Sequence, residues 1–145
     1  MEQDSLEGKV AIITGGSSGI GYGIASALAS RGAYVYLIAR DLKKLEKAKS
    51  EIIKKGGKTE IRRADIRNTP EIRNIIDEVY ESHKRLDMFI NNAGEWSGQT
   101  IGAESKDLQK TRKLIRDSPT EITEYLINKF RKSDNRLQIL TIISQ

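Results

Sequence analysis

The sequence predicts an α/β protein whose parallel sheet is wound on both faces by helices, and three observations carry that prediction. Short β-branched runs alternate with stretches of helical period four times along the chain. A glycine-rich turn, Thr14-Gly15-Gly16-Ser17-Ser18-Gly19-Ile20-Gly21, joins the first run to the first helical stretch. The run before it, Lys9 to Thr14, is apolar without polar alternation, which suits a strand buried on both faces.

Glycines at such a turn let the chain reverse, let the backbone approach a phosphate with no Cβ in the way, and let helix and strand pack closely. The turn also offers N–H groups and the positive end of a helix dipole to an anion. Its context therefore favours nucleotide binding over a tight βα turn that binds nothing. Helix one covers Gly19 to Arg31, with Ile20, Ile24, Leu28 and the small Ala25, Ala27 and Ala29 as its stripe and Gly32 closing it. Tyr34 to Ala39 is the second strand, and Asp41 caps a helix with an apolar face of Leu42, Leu45, Ala48 and Ile52, stopped by Gly56-Gly57.

Lys58 to Ala64 has the mixed polarity of an edge strand. Thr69 then caps a helix with Pro70 in its first turn and a buried stripe of Ile72, Ile75, Ile76 and Val79. Leu86 to Ile90 is the fourth strand and ends in Asn91-Asn92-Ala93-Gly94. From Glu95 to Arg136 the pattern weakens until the capping box Ser118-Pro119-Thr120-Glu121, where a helix begins at Pro119 instead of running through it. That helix carries Ile122, Tyr125, Leu126 and Phe130 inward and stops at Ser133-Asp134-Asn135, before a fifth strand from Leu137 to Ile143.

The 145 residues read as one domain, 1–145, with no repeat and no linker, and are short for a dinucleotide enzyme that also builds a substrate pocket. With no cysteine, no apolar run of transmembrane length and an acidic Met1 to Glu7, the expectation is a cytoplasmic protein that does not enter a membrane. Lysine and arginine outnumber the acids 25 to 20, and the excess gathers between Arg40 and Arg63. Interleaved glutamates and a helical period there favour a solvated helix face over a nucleic-acid patch, so neither a nucleic acid nor a metal is expected as partner.

Three motifs in order make the stretch Gly8 to Gly94 resemble the short-chain dehydrogenase/reductase family. Thr14, Gly15, Gly19 and Gly21 fit its T-G-x-x-x-G-x-G turn, Asp65 fits the acid that contacts the adenine, and Asn91-Asn92-Ala93-Gly94 fits its N-N-A-G. The resemblance implies a Rossmann-type sheet of order 3-2-1-4-5. It also implies a cofactor site of Thr14, Gly15, Ser17, Ser18, Gly19, Ile20 and Gly21 from the turn, Arg40, Asp65 and Ile66 from the next two strand ends, and Asn91, Ala93 and Gly94. Where an acid after strand two selects NAD, this chain has Ala39-Arg40, and an arginine there can meet the 2′-phosphate of NADP. NADP is therefore expected over NAD, with the neighbouring Asp41 opposing the phosphate somewhat.

In that family a tyrosine serves as acid and base for hydride transfer to or from nicotinamide, a lysine lowers its pKa, and a serine orients a carbonyl or alcohol substrate. The lysine is needed because a free tyrosine, with pKa about 10, is a poor base at neutral pH. Ser144 aligns with the serine, but the tyrosine and lysine would follow by about a dozen residues and the sequence ends at Gln145. Two Tyr-x-x-x-Lys spacings, Tyr80 to Lys84 and Tyr125 to Lys129, precede strand five, and each pair occupies one face of its own helix. No asparagine stands near Ile115 to Asp117, where family members place one that relays protons, and Trp96 and Gln99 take no role.

Two readings stay open. One is an NADP-dependent oxidoreductase represented by its cofactor-binding portion, as a fragment, a truncated product or a degenerate copy, and silent by itself. The other is a nucleotide-binding module without chemistry. In either case strand five is an edge, and its uncharged run of Leu137, Ile139, Leu140, Ile142 and Ile143 invites self-association unless Glu95 to Asp117 covers it.

Overall fold

A run of residues that is apolar on both sides has to be enclosed between two layers, and every residue of β1 (Val10–Thr14) is buried. A computed structural model describes residues 4–92 and 116–142. Around β1 it arranges β2 (Tyr34–Ala39), β3 (Lys58–Arg63), β4 (Met88–Asn91) and β5 (Gln138–Thr141). The five strands form one sheet of order β3-β2-β1-β4-β5 with every pair parallel. This is the order that the family resemblance implies.

Alternate side chains of the central strands enter two separate cores. On one face Ala11, Ile13, Val35, Leu37 and Ile90 pack with α1 (Gly19–Ser30) and α2 (Leu42–Lys54). On the other, Val10, Ile12, Tyr36, Ile38 and Phe89 pack with α3 (Thr69–His83) and α4 (Ser118–Phe130). The α1 face that meets the sheet is made of small residues, Gly21, Ala25 and Ala29. Ile24 and Leu28, half-buried beside them, pack against the rim of this core, whereas Ile20 is 62% exposed and leaves the expected stripe.

Two expected helix starts are corrected. The α3 cap is Asn68, one residue before Thr69: its Oδ1 accepts from the Glu71 N–H at 3.3 Å and its Nδ2 donates to the Glu71 carboxylate at 3.1 Å. Asparagine out-competes threonine as a cap, and the reciprocal bond to Glu71 fixes the choice. The box at Ser118 does not form, because residues 116–117 already turn as a π-helix and Ser118 Oγ is buried without a partner among the described residues. Pro119 is tolerated there because the first turn of a helix needs no N–H donor from it.

At the edge of the sheet away from the glycine turn, polar side chains align the strand starts. Asn135 and Leu86 exchange two hydrogen bonds, of 3.0 and 2.7 Å, which set β5 beside β4. Asp87 accepts the Val10 N–H at 2.8 Å and both Arg85 Nε and Nη2 at 2.8 Å, joining β4 to β1. Burial alone would raise the Asp87 pKa, but the bonds from Arg85 and Val10 and the charge of Lys9 hold it below the ordinary aspartate value. A carboxylate depressed in this way adds stability that is complete above its unfolded pKa of about 3.9 and is lost as pH falls through the lower folded value. Asp87→Asn should therefore cost about 1–2 kcal/mol at pH 7, and urea melts of variant and wild type should converge as pH falls through the lowered folded pKa of Asp87.

Candidate dinucleotide site

Parallel strands end together, so the residues that follow β1, β2, β3 and β4 all gather along one edge of the sheet. The chain leaves β1 toward α1 on one face, while α3, which leads into β4, lies on the other face. The gap between β1 and β4 is thus the switch point of a doubly wound sheet, where such folds bind ligands. The glycine turn stands at that gap.

One set of hydrogen bonds holds the turn. Thr14 is buried, and its Oγ1 accepts the Asn92 N–H at 3.0 Å while lying 3.4 Å from the Ile90 carbonyl oxygen, to which it donates. Asn92 Nδ2 donates to the Gly15 carbonyl at 3.3 Å, and the Gly15 N–H donates to the Ile38 carbonyl at 2.8 Å. A Cβ on Gly21 would collide with both Asn92 Nδ2 and the Gly15 oxygen, so only glycine lets α1 start this close to β4. Gly19 has φ +59° and, among the described residues, nothing within 4 Å of where a Cβ would stand, which leaves open space in front of the turn.

These features fit a phosphate-bearing dinucleotide. Ser18 precedes α1 in extended backbone, its side chain makes no cap bond, and the first turn of α1 carries no acid. The first N–H groups and the positive helix end are left for an outside anion. Ser17 is half-buried beside Ser18, which is exposed, and Ile20 shares that exposed turn.

The other strand ends bring further predicted residues to this edge. Arg40 is exposed after β2, and its carbonyl accepts Arg63 Nε at 3.1 Å. Asp65 follows β3, and its carboxylate takes Arg67 Nε at 3.0 and 3.1 Å and Nη2 at 2.6 Å. Arg67, through that pairing and its own N–H, holds the Asp65 pKa below its usual value, with Arg40 adding its charge. The Ile66 side chain is buried in the core beneath α3, so only its backbone can face the edge. Asn91 is buried at the end of β4, where its Nδ2 reaches Thr141 Oγ1 at 3.4 Å and its Oδ1 has no partner among the described residues. Ala93, Gly94 and Ser144 lie outside the described residues.

Sequence reasoning passed over Asn92 and Arg67. The second asparagine of its motif could have signalled the first, and the Asp-x-Arg spacing after β3 the second. Neither Tyr-x-x-x-Lys pair joins the site. Tyr125 donates to Asp77, which Lys129 meets at 2.9 Å, while Lys129 lies over the Tyr80 ring and Tyr80 packs edge-on against Phe130. Lys84 pairs with Glu81 at 2.5 Å. Burial and the Asp77 bond push Tyr125 up to about 12, the opposite of what a base requires. Among the described residues no group of acids and histidine could hold a metal, and no helix is long and apolar enough to cross a membrane.

Comparison with known proteins agrees with this geometry. The sequence matches the family described as short chain dehydrogenase over residues 9–145. Fatty acyl-CoA reductase of Acinetobacter baylyi is 40% identical over 92 residues, which are 63% of this chain and 31% of that protein. A metagenomic short-chain oxidoreductase in complex with NADP superposes with a TM-score of 0.84 at 33% identity, covering 98% of this chain and 65% of that one. A 7α-hydroxysteroid dehydrogenase complexed with NADH and 7-oxo glycochenodeoxycholic acid does so with a TM-score of 0.85 at 28% identity, covering 97% and 55%. The chain thus spans about a third of the curated relative and under two thirds of either solved structure. With a parallel sheet of order β3-β2-β1-β4-β5, a glycine turn locked to the end of β4 and a family match along nearly its whole length, the chain belongs to the short-chain dehydrogenases.

Proposed function

We propose that this chain is the dinucleotide-binding portion of an NADP-dependent oxidoreductase acting on a carbonyl or alcohol, with residues 1–145 forming one unit. The observation that carries the reading is the turn from Gly15 to Gly21, clamped through Asn92 at the switch point and open in front of Gly19. When bound, the dinucleotide supplies or accepts the hydride. The turn, with Thr14, Gly15, Ser17, Ser18, Gly19, Ile20 and Gly21, would hold its phosphates. Asp65 and the Ile66 backbone would border the adenine, Asn91, Ala93 and Gly94 would flank the far end, and Ser144 would orient the substrate oxygen. Arg40 supports NADP over NAD, since a planar guanidinium can pair with the 2′-phosphate. The capping of α2 by Asp41, whose Oδ1 accepts the Lys44 N–H at 3.2 Å, commits one acidic oxygen next to Arg40 to the helix.

A second reading, a nucleotide-binding module without chemistry, is favoured by the use of Tyr125 and Lys129 in packing α3 against α4 and by the surface pairing of Lys84 with Glu81. A cytoplasmic setting belongs to the proposal on composition alone, since nothing in a cysteine-free sequence requires an oxidising compartment. Self-association belongs to it as well. Among the described residues β5 pairs only with β4, and three of its four residues are exposed, including Leu140 at 53%. Its free edge can take a second copy of the strand.

In a calorimetric titration NADPH should bind more tightly than NADH. Arg40→Asp should reverse the order, while Gly19→Val, which strains φ +59° and fills the open space, should lose both ligands. An unchanged preference in Arg40→Asp removes Arg40 from the site. The 145-residue chain should reduce no carbonyl above background with NADPH present. Turnover abolished by Tyr125→Phe and kept by Tyr80→Phe would sink that expectation. In sedimentation the wild type should associate at concentrations on the order of 10 µM and Ile139→Lys should not; a monomeric wild type would refute pairing through β5.

A further inference from the structure

Parallel strands share a starting edge as well as a finishing one, and each described helix runs back to that starting edge before the next strand begins. The edge lies opposite the glycine turn. It collects the connections 55–57, 84–87 and 131–137, with residues 4–9 ahead of β1 and 31–33 after α1. Some of its cations are engaged: Lys9 and Arg85 with Asp87, Lys84 with Glu81, and Lys58 with Glu7. Others are not. Lys54 and Lys55 at the end of α2, and Arg131, Lys132 and Arg136 after α4, are exposed and form no ion pair among the described residues.

The dipole of each helix favours a cation in its last turn, which Lys54 supplies in α2 and Lys129 in α4. Lys55 beyond α2, and Arg131, Lys132 and Arg136 beyond α4, add charge past that need. β3 and β5 are the outer strands of the sheet, so the two clusters stand about 20 Å apart, at about 4.8 Å per strand spacing. A compact anion reaches only one of them, and an extended polyanion reaches both. The connections are short, so the edge is a blunt face with no helix or ribbon projecting to enter a nucleic-acid groove. Beside Lys54, Ile53 is 50% exposed in the last turn of α2. An apolar side chain among lysines suits the boundary between lipid headgroups and acyl chains.

We propose that this starting edge docks on an anionic bilayer surface, with Lys54 and Lys55 on one side and Arg131, Lys132 and Arg136 on the other meeting lipid headgroups, and Ile53 entering the interface. The contact is peripheral, and no helix is inserted. Docked in this way, the chain turns its dinucleotide edge to water, where a cofactor can reach it. The docking face shares no residue with that edge, so the proposal stands apart from the dinucleotide reading.

The test is flotation of the 145-residue chain with vesicles of phosphatidylcholine alone and of phosphatidylcholine with about one third phosphatidylserine. The wild type should float with the second and not with the first, and added salt should release it as the surface charge is screened. Lys54→Gln with Lys55→Gln, and separately Arg131→Gln with Lys132→Gln, should each weaken partitioning about thirtyfold, the loss of two cations near a charged surface. The two pairs follow different helices, so a fold defect in one leaves the other to decide. Lys43→Gln with Lys44→Gln removes the same charge from the other end of α2, about 15 Å away, and should change partitioning by less than about threefold. Ile53→Ser should weaken partitioning several-fold with its salt dependence unchanged. An equal loss in the Lys43 and Lys44 variant, or flotation no better with phosphatidylserine than without it, overturns the proposal. An oligonucleotide that binds more tightly than the anionic vesicles, and is lost by the same two pairs, assigns the face to nucleic acid and overturns the bilayer.

Discussion

The missing side chain of Gly21 is the constraint on which the candidate site depends. Because nothing projects from that position, Asn92 Nδ2 can reach the Gly15 carbonyl, and the end of β4 is tied to the turn after β1. Thr14 completes the tie from below, satisfying the Asn92 N–H in a region closed to water. Asn92, distant in sequence, thus holds the loop together with Thr14, while the Gly15 N–H anchors it to the end of β2 through the Ile38 carbonyl. A side chain at position 21 would push α1 away from the sheet and open the tie, so packing and binding geometry cannot be separated here.

The two faces of the sheet solve different packing problems. On the α1 side, Gly21, Ala25 and Ala29 bring helix and strand backbones close, which delivers the helix end to the switch point. On the α3 side, Ile72, Ile75, Ile76 and Val79 fill a deeper layer together with Ile122, Leu126 and Phe130. The polar groups on that layer, Asp77, Tyr125 and Lys129, satisfy one another between α3 and α4. A tyrosine held at about 12 by burial and a carboxylate, with its lysine drawn to the same carboxylate, is a structural donor.

The two sheet edges differ in charge. β3 carries Lys58, Glu60, Arg62 and Arg63, with Arg62 bound to Glu78 of α3, and such an edge repels a second strand. β5 carries Gln138, Ile139, Leu140 and Thr141, with no charge to oppose pairing. The strand ends at the site are also basic in balance: Arg40, Arg63 and Arg67 stand with two acids, of which Asp65 is bound to Arg67 and Asp41 caps a helix. Such a field favours an anionic ligand before any specific contact forms.

Much of this was legible in the sequence because the governing forces are local. The period of Ile72, Ile75, Ile76 and Val79, the unbroken apolar run of β1 and the glycines after it specify helix, buried strand and turn through backbone sterics and burial, and parallel pairing follows from their alternation, while the strand order came from the family resemblance. Tertiary structure decided where partners come from far away. That Asn68 and not Thr69 caps α3, that Ile20 faces water while Gly21 faces the sheet, and that Asp65 is paired with Arg67 depend on the angle at which each segment enters. The role of Asn92 depends on a contact across the fold, with an acceptor 77 residues away. Periodicity records which face a residue takes; which atom satisfies a buried polar group is settled only when the layers close.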